Sequence, residues 1–394
     1  MTVSFWQQTQ PPTVVDAEIA VVGGGICGLW TALELERRGC SVVLVERSEQ
    51  LARGASTRNA GYLMRGAADN YALACDSLGR DEARHAWQLS EWNLEVLRSE
   101  SIRDCASFRE QPSCLVAHTP AEAEELTASR ELLAEDGFEA ALIDGGSDSM
   151  WSNAKPLLGL VNPGDAVCQP GELASWLIAK LQRTRFFVGC DVRDIVNRRG
   201  RVALTGRSHE FRADRAVICT NALAGQLIPA LSDLVTPNRG QMLAARVPGI
   251  DLAHAYYANR GSEYIRSDGD MLYVGGCRNV DLAGERTDED ETSEAVQSAL
   301  ETYAAKVLGT PLEPEQILSR WAGIMGFSPD GLPLAGPVGE LVEHESLEND
   351  QVWFIGGFTG HGMSLAVATA RTAVATILDG AERHFPLERV LPSG

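Results

Sequence analysis

The segment from Ala17 to Glu46 reads AEIAVVGGGICGLWTALELERRGCSVVLVE and contains the main indication of the fold. Its first six residues are a short apolar run, which is typical of a strand buried on both faces. Ile26–Arg38 has an apolar face and is followed by Gly39, which predicts a helix with a glycine C-cap. Ser41–Glu46 predicts a second buried strand. The order strand, helix, strand predicts one βαβ unit.

The turn between the first strand and the helix carries GGGICG, which fits the pattern G-x-G-x-x-G. In this pattern Gly23 makes the tight turn, Gly25 lets the backbone approach a pyrophosphate, and Gly28 lets helix and sheet pack closely. The helix N-terminus offers free N–H groups and a positive dipole to the phosphates. Glu46 ends the second strand, where a carboxylate can accept both hydroxyls of an adenosine ribose. A bound dinucleotide is therefore predicted, and the pattern does not separate FAD from NAD.

Length, charge and cysteine content limit the classes of protein to consider. A chain of 394 residues suggests two to three domains, and its net charge of −20 argues against nucleic acid or anionic membrane as the main partner. The nine cysteines include no CxxC pair and no His/Cys cluster at metal-ligand spacing, so we expect no metal site and a reducing compartment. We find no signal-peptide pattern and no long apolar run. We therefore expect a cytoplasmic protein without a membrane span.

Further elements follow from the same patterns. The sequence predicts a helix over Glu172–Thr184, a strand over Phe186–Val196 with a hairpin partner at Arg201–Leu204, a buried strand at Arg215–Cys219, a strand at Gln351–Ile355 and a helix over Met363–Leu378. Residues 81–140 are rich in charged helix formers, and 240–280 has antiparallel character with a hairpin turn at Asp268-Gly269. Thr292–Leu308 predicts an amphipathic helix that stops at Gly309.

These elements predict an α/β fold in which two domains are interleaved along the chain. Residues 1–80, 160–235 and 320–394 are expected to form a Rossmann-like dinucleotide-binding domain. Residues 81–159 and 236–319 are expected to form an α+β substrate-binding domain with an antiparallel sheet.

The loop GASTRNAG, residues 54–61, favours FAD over NAD. A nicotinamide enzyme of this fold has no general need for a donor-rich loop soon after the ribose carboxylate. FAD offers ribityl hydroxyls, a pyrophosphate and an isoalloxazine edge, for which Ser56, Arg58 and Asn59 are suitable donors, and the flanking glycines allow close backbone contact. A solvated loop is the other interpretation of this segment alone.

The whole chain resembles the D-amino-acid-oxidase-like FAD-dependent oxidoreductases (DAO family), in the branch that holds glycine, sarcosine and γ-glutamylputrescine oxidases. The resemblance rests on the βαβ stretch, on GASTRNAG, on RGQ at Arg239–Gln241, on RWAGIMGFSPDGLPLAGP at Arg320–Pro337 and on GGFTGHGM at Gly356–Met363. SFWQQT near the N-terminus is similar to the leader of the amine-oxidising members. These motifs are specific for the family and not for a substrate.

The resemblance implies an FAD site assembled from six segments of the chain. The adenine end is expected on Gly23, Gly25, Ile26, Cys27, Gly28, Glu46 and Arg47. The pyrophosphate and flavin are expected beside Ala55, Ser56, Arg58, Asn59, Ala60 and Gly61, with Val192, Thr220 and Asn221 completing the pocket. The flavin end is expected beside Gly357, Gly360, His361, Gly362 and Met363, where a helix N-terminus would face the negative charge of the reduced flavin.

Three departures from the family pattern limit what the resemblance implies. Glycine and D-amino acid oxidases carry an arginine for the substrate carboxylate in the block that matches Trp321–Gly331, and this chain has none there. Sarcosine oxidases tether the flavin through a cysteine in the late block, and none lies between Arg320 and Gly331, so we expect non-covalent FAD. They also place a lysine near the flavin, on a strand similar to Met271–Gly276, where this chain has Tyr273. The final electron acceptor is therefore either oxygen or another compound.

The candidate substrate and catalytic residues are Arg65, Tyr273, Arg278 and His361. Arg65 lies at about the place where sarcosine oxidases use an arginine for the substrate acid group, and Arg278, after MLYVGG, is the second candidate. His361 is a candidate charged partner of the flavin or a structural residue of its Gly-His-Gly bend. Tyrosines in the antiparallel region suit an aromatic pocket for a neutral amine: Tyr256, Tyr257, Tyr264 and Tyr273.

The leading hypothesis is an FAD-dependent oxidoreductase that acts on the C–N bond of a small secondary amine or N-substituted amino acid. Its product would be an imine that hydrolyses, with hydrogen peroxide if oxygen is the acceptor. The alternatives are a 2-hydroxy-acid dehydrogenase with His361 as the base, a D-amino acid or glycine oxidase, and a flavoprotein with a binding or structural role.

Overall fold

The computed structural model describes residues 12–67, 69–341 and 350–390. The SFWQQT segment lies outside the described residues. The strands are β1 (Thr13–Asp16), β2 (Ile19–Val22), β3 (Val42–Val45), β4 (Tyr62–Leu63), β5 (Ser113–Ala117), β6 (Ala141–Ile143), β7 (Leu158–Asn162), β8 (Ala166–Val167), β9 (Arg185–Phe187), β10 (Asp194–Arg198), β11 (Arg201–Thr205), β12 (His209–Ala213), β13 (Arg215–Ile218), β14 (Thr236–Arg246), β15 (Ala255–Ala258), β16 (Glu263–Asp268), β17 (Met271–Gly276), β18 (Ile317–Phe327), β19 (Leu334–Pro337) and β20 (Val352–Gly356). The α-helices are α1 (Ile26–Arg37), α2 (Tyr71–Leu78), α3 (Arg80–Ser99), α4 (Pro120–Glu135), α5 (Pro170–Lys180), α6 (Ala224–Leu227), α7 (Glu294–Leu308) and α8 (Gly362–Asp379).

A six-stranded sheet forms the centre of the dinucleotide-binding part. Its order is β19-β20-β13-β2-β3-β9, and all neighbours are parallel except the antiparallel pair β19 and β20. Val21 packs among residues of α1, α3, α5 and α8, whereas Ala20 and Val22 pack among residues of β11 and β12. The sheet is therefore buried on both faces, which explains its wholly apolar strands. The α/β fold and its βαβ unit are confirmed.

The strand predicted over Phe186–Val196 is wrong, because two strands in different sheets occupy this segment. β9 is the edge strand of the six-stranded sheet, whereas β10 belongs to a four-stranded sheet of order β1-β12-β11-β10. Gly189 between them has a φ of +65°, a turn conformation that a continuous strand does not allow. The hairpin partner predicted at Arg201–Leu204 is confirmed as β11, which is antiparallel to β10.

An eight-stranded sheet forms the second large layer, in the order β18-β14-β17-β16-β15-β5-β7-β6. Its neighbours are antiparallel except for the parallel pair β15 and β5. The hairpin predicted near Asp268-Gly269 joins β16 to β17, with Asp268 paired to Met271. Helix α7 packs on one face of this sheet through an apolar cluster that contains Val296, Leu300 and Val307.

Alternation along the strands decides which tyrosines face α7. Tyr256 pairs with Ile265, and both are fully buried in the cluster beneath α7. The next pair, Tyr257 and Tyr264, points to the opposite face and packs with Tyr62 of β4. The domain boundaries at residues 80, 160, 235 and 320 stay a prediction.

Candidate functional site

The glycine-rich turn between β2 and α1 is packed too tightly for any side chain. A Cβ on Gly28 would lie 1.9 Å from the carbonyl oxygen of Gly23, and one on Gly23 would lie 2.7 Å from the carbonyl oxygen of Cys219. A Cβ on Gly25 would lie 2.9 Å from Ser56 Oγ. These contacts let helix α1 approach the sheet closely, which only glycine at these positions allows.

Glu46, directly after β3, is held by the backbone of both flanking loops. Its Oε2 accepts a hydrogen bond from the amide of Gly24 at 2.8 Å, and its Oε1 accepts one from the amide of Ser48 at 2.8 Å. Each carboxylate oxygen retains acceptor capacity for a further donor. The fixed carboxylate is therefore oriented for ribose hydroxyls.

The loop GASTRNAG contains one hydroxyl that stays available and two side chains that hold the loop. Ser56 Oγ accepts from the amide of Ile26 at 2.9 Å, which leaves its own proton free to donate. Asn59 uses its amide within the loop, donating to the carbonyls of Ala55 (3.0 Å) and Ser56 (3.1 Å) and accepting from the amide of Gly61 (2.8 Å). The donor role predicted for the Asn59 side chain is therefore not supported by its contacts.

Arg58 connects this loop to two other segments. Its Nη1 donates to the carbonyl of Ala322 at 2.8 Å, and it forms an ion pair with Asp290. In return, Trp321 Nε1 donates to the carbonyl of Arg58 at 3.1 Å. The guanidinium lines the site, but its contacts hold β18 and the loop before α7 in place.

A cavity of about 920 Å³ is lined by residues of the glycine-rich turn and by residues of the eight-stranded sheet. Most of the predicted residues line it: Gly23, Gly25, Ile26, Cys27, Glu46, Arg47, Ala55, Ser56, Arg58, Asn59, Ala60, Val192, Thr220, Asn221, Arg278, Gly360, His361, Gly362 and Met363. The predicted residues outside the lining are Gly28, Gly61, Arg65, Tyr273 and Gly357. Gly28, Gly61 and Gly357 lie behind the lining residues. A Cβ on Gly61 would lie 1.8 Å from the carbonyl oxygen of Cys168. The amide of Gly357 donates to Asn221 Oδ1 at 2.9 Å.

Arg65 does not face the cavity, which corrects the expectation that it binds a substrate acid group. Its Nη1 is 2.8 Å from Glu91 Oε1 in an ion pair, and its Nη2 donates to the carbonyl of Glu139 at 2.6 Å. Only 5 % of its side chain is exposed. The guanidinium already has its partners and joins helix α3 to the segment before β6.

Tyr273 is likewise outside the cavity, because Arg266 covers it. The guanidinium of Arg266 lies 4.7 Å from the centre of the Tyr273 ring, and its Nε donates to the carbonyl of Ala60 at 2.6 Å. Of the four tyrosines predicted for an aromatic pocket, Tyr257 and Tyr264 line the cavity.

Several residues of the cavity wall are not among those predicted from the sequence. Tyr62 and Met64 line it together with Ala60. Positions 60, 62 and 64 follow the period of two that is typical of a strand with one face on the cavity, so the sequence itself indicates them. Phe327, Asp69 and Asp290 also line the cavity, and no local pattern marks them, because only the tertiary fold brings their segments to the wall.

The comparisons with known proteins agree with this architecture. A family model described as FAD dependent oxidoreductase (DAO) matches residues 18–376. The chain belongs to this family. The fold and the cofactor predicted from the sequence are therefore confirmed, and the protein is an FAD-dependent oxidoreductase.

Individual relatives show how wide the family is. The chain is 27 % identical to a glycine oxidase of Pseudomonas aeruginosa, over 95 % of this chain and 98 % of that protein. It is 24 % identical to a gamma-glutamylputrescine oxidoreductase of Escherichia coli, over 96 % and 87 % of the two chains. Among solved structures, the glycine oxidase of Geobacillus kaustophilus is similar with a TM-score of 0.74 at 21 % identity, over 95 % and 98 % of the two chains. The L-proline dehydrogenase of P. horikoshii is similar with a TM-score of 0.74 at 17 % identity, over 96 % of each chain. The two structural likenesses show the fold.

The residues of the cavity fit FAD. Thr220 Oγ1 is buried, lines the cavity and has no hydrogen-bond partner among the described residues, so it is available to a ligand. Glu46 and the turn at Gly23–Gly28 would hold the adenosine and pyrophosphate, and Ser56 offers a free donor. Gly362 and Met363, at the N-terminus of α8, line the cavity, and the positive end of this helix would stabilise a negative charge that develops there.

Two further observations concern the described residues only. None of their helices is long and apolar enough to cross a membrane. They contain no group of three or more His, Cys, Asp or Glu side chains that could hold a metal ion.

Proposed function

We propose that this protein oxidises the C–N bond of a small secondary amine or N-substituted amino acid. The substrate loses a hydride and a proton, and the resulting imine hydrolyses to an amine and an aldehyde or oxo acid. Bound FAD supplies the hydride acceptor, and oxygen, if it is the final acceptor, yields hydrogen peroxide. The chain itself must bind the substrate, exclude water and manage the proton.

The observation that carries this proposal is the state of Arg278 in the cavity wall. Its Nη1 donates to Asn238 Oδ1 at 3.2 Å, and no acidic side chain of the described ranges lies within ion-pair distance. Burial lowers the pKa of its guanidinium. Glu285 acts on this cation only from beyond ion-pair distance, and a desolvated cation with no ion-pair partner favours a ligand that brings an anionic group. Arg278 therefore supports a substrate with an acid group.

The other arginine at this end of the cavity is already neutralised. Arg260 Nη2 lies 2.6 Å from Glu125 Oε1 in an ion pair. The contrast with Arg278 supports Arg278 as the substrate-binding arginine, in a chain whose late block lacks the arginine of glycine oxidases.

Three tyrosines form an apolar wall beside Arg278. The ring centres of Tyr62 and Tyr257 are 4.9 Å apart, and those of Tyr257 and Tyr264 are 5.4 Å apart. All three line the cavity, and burial raises the pKa of each, so the phenols stay neutral. Such a wall excludes water and covers an alkyl group on the substrate nitrogen.

Oxidation of glycine is the second candidate, because two of the relatives with the highest coverage are glycine oxidases. Arg278 would bind the carboxylate in the same way. An unsubstituted amino acid would leave the tyrosine wall uncovered, which favours the N-substituted substrate.

Anaerobic flavin bleaching tests the proposal. The FAD-loaded protein is mixed separately with pools of N-alkyl amino acids, secondary amines, primary amino acids and 2-hydroxy acids, and the absorbance of oxidised flavin is followed. We expect the N-alkyl amino acid pool to bleach the flavin fastest. Bleaching by the 2-hydroxy acids alone, or by none of the pools, would overturn the proposal. Admitting air afterwards separates an oxidase from a dehydrogenase by the rate at which the colour returns.

A further inference from the structure

His361 lies in the turn directly before helix α8 and lines the cavity. Its Nδ1 is 3.2 Å from the carbonyl oxygen of Thr359. A carbonyl oxygen only accepts hydrogen bonds, so Nδ1 carries the proton in the neutral ring. The lone pair is then on Nε2, which has no hydrogen-bond partner among the residues that the structure describes.

We propose that Nε2 of His361 accepts the ammonium proton of the bound substrate before the C–N bond is oxidised. The inference rests on the proposed function. A protonated amine has no lone pair with which to form an imine, so one N–H bond must break first. That proton forms the Nε2–H bond of an imidazolium, the electron pair stays on the substrate nitrogen, and the imidazolium later releases the proton to solvent through the cavity.

The surroundings of His361 suit a proton acceptor. Burial lowers the pKa of the imidazole, so the ring is neutral and able to accept at neutral pH. The Thr359 carbonyl and the carboxylate of Asp69 act in the opposite direction and stabilise the imidazolium once it has formed.

Few other charged groups act on this ring. Asp69, before helix α2, is an exposed side chain of the cavity wall. Arg260 and Arg278 line the cavity from the eight-stranded sheet, and Arg260 is neutralised by Glu125. The neighbours on α8 and β18 that line the cavity, Met363 and Met325, are uncharged. Asp69 is therefore the group through which the basicity of His361 can be adjusted without altering the ring.

The pH dependence of flavin reduction distinguishes a proton acceptor from a structural histidine. The rate constant for anaerobic reduction is measured against pH in FAD-loaded wild type, Asp69→Asn and His361→Gln. We expect the wild-type rate to fall as the pH drops through the pKa of His361. Asp69→Asn should move this fall to lower pH, because the imidazolium loses a stabilising charge. The displacement should shrink in high salt, which screens an exposed carboxylate.

His361→Gln should abolish the histidine-dependent fall and lower the plateau by about 10²-fold or more. A fall at the same pH in wild type, Asp69→Asn and His361→Gln would overturn the role of His361. If no amine bleaches the wild-type flavin at any pH, the proposed function itself fails, and this result is distinct from bleaching that is insensitive to these two substitutions.

Side-chain ¹⁵N NMR of histidine-labelled, FAD-loaded protein gives a readout that needs no turnover. The resonances of His361 are those that vanish in His361→Gln. We expect Nδ1 to carry the proton at neutral pH and Asp69→Asn to lower the pKa of the ring. A proton on Nε2 in the neutral ring would contradict the proposal, even if His361→Gln binds FAD poorly.

Discussion

The guanidinium of Arg278 stacks on the ring of Phe327, with 4.6 Å between the guanidinium carbon and the ring centre. β17 precedes Arg278 and Phe327 ends β18, so the stack joins two strands of the eight-stranded sheet that are not neighbours. A stacked guanidinium loses little further freedom when it binds a carboxylate. Arg278 is therefore preorganised for the acid group of the proposed substrate.

Arg278→Met should remove the recognition of the acid group and keep most of the side-chain volume. We expect KM for an N-alkyl amino acid to rise about 10²-fold or more, because a desolvated charge pair is lost. An amine that lacks the carboxylate should react at an unchanged rate. Steady-state or stopped-flow kinetics with the two substrates measure the difference.

Arg260→Met is the matched control, since Arg260 lines the same cavity and is already paired with Glu125. Its effect on KM should stay within a few-fold. Equal losses for both substrates in Arg278→Met would show that Arg278 supports the fold and does not bind the acid group.

Gly28→Ala should open the glycine-rich turn, because the new Cβ would lie 1.9 Å from the carbonyl oxygen of Gly23. We expect a loss of stability of about 1–3 kcal/mol and a marked loss of FAD affinity. Thermal unfolding and FAD titration measure the two effects. Gly164→Ala is the matched control, since Gly164 has no atom within 4 Å of its Cβ position, has no left-handed φ and lies outside the cavity lining. Similar FAD affinities in the two variants would contradict the account of the turn.

Asp290→Asn should weaken FAD retention slightly by releasing the loop before α7 from Arg58. The pair is partly exposed, at 28 % for Arg58 and 47 % for Asp290, so its contribution is at most about 1 kcal/mol. We expect FAD to dissociate up to about fivefold faster, measured by the return of flavin fluorescence on dilution. High salt should accelerate the dissociation of FAD from the wild type and leave its dissociation from the variant nearly unchanged. An equal response to salt in both proteins would rule out this pair as the cause.

The free energy of unfolding should fall as the pH rises from about 4 to 6, because of the carboxyl group of Asp165. Burial raises the pKa of this carboxyl to about 6, although Ser113 Oγ donates to it at 2.5 Å and the amide of Arg65 at 2.9 Å. In that range the unfolded chain has lost the proton that the folded chain still holds, so the free energy of unfolding falls with rising pH.

The size of this effect is on the order of 3 kcal/mol, from about two pKa units at about 1.4 kcal/mol each. Asp165→Asn should abolish it, and denaturant unfolding at several pH values measures the difference between the two proteins. Parallel stability curves for wild type and variant would contradict a raised pKa at Asp165.

The dinucleotide half of the site could be predicted from the sequence because its signals are local. The glycine spacing, the apolar strands and Glu46 lie within a single βαβ unit, where chain neighbours are also neighbours in space. The strand predicted over Phe186–Val196 failed because apolar residues continue across Gly189, although the chain changes sheets there.

The substrate half depends on contacts between distant segments, which the sequence does not show. Arg65 and Arg278 are equivalent candidates by residue type, and only their tertiary contacts distinguish them. Arg65 forms an ion pair with Glu91, whereas no acidic residue of the described ranges pairs with Arg278. The exclusion of Tyr273 likewise depends on Arg266, from the neighbouring strand. Tyr62 is the exception, since the alternation after GASTRNAG indicates its orientation.

Oxidation of a C–N bond is tested by comparing two compounds with the same carbon skeleton. One carries an N-methylamino group at carbon 2 of a carboxylic acid, and the other carries a hydroxyl group there. Each is mixed anaerobically with the FAD-loaded protein, and flavin absorbance and the released products are measured. We expect the N-methylamino acid to bleach the flavin and to yield stoichiometric amine and carbonyl product, while the hydroxy acid leaves the flavin oxidised. Bleaching by the hydroxy acid alone would contradict oxidation of a C–N bond.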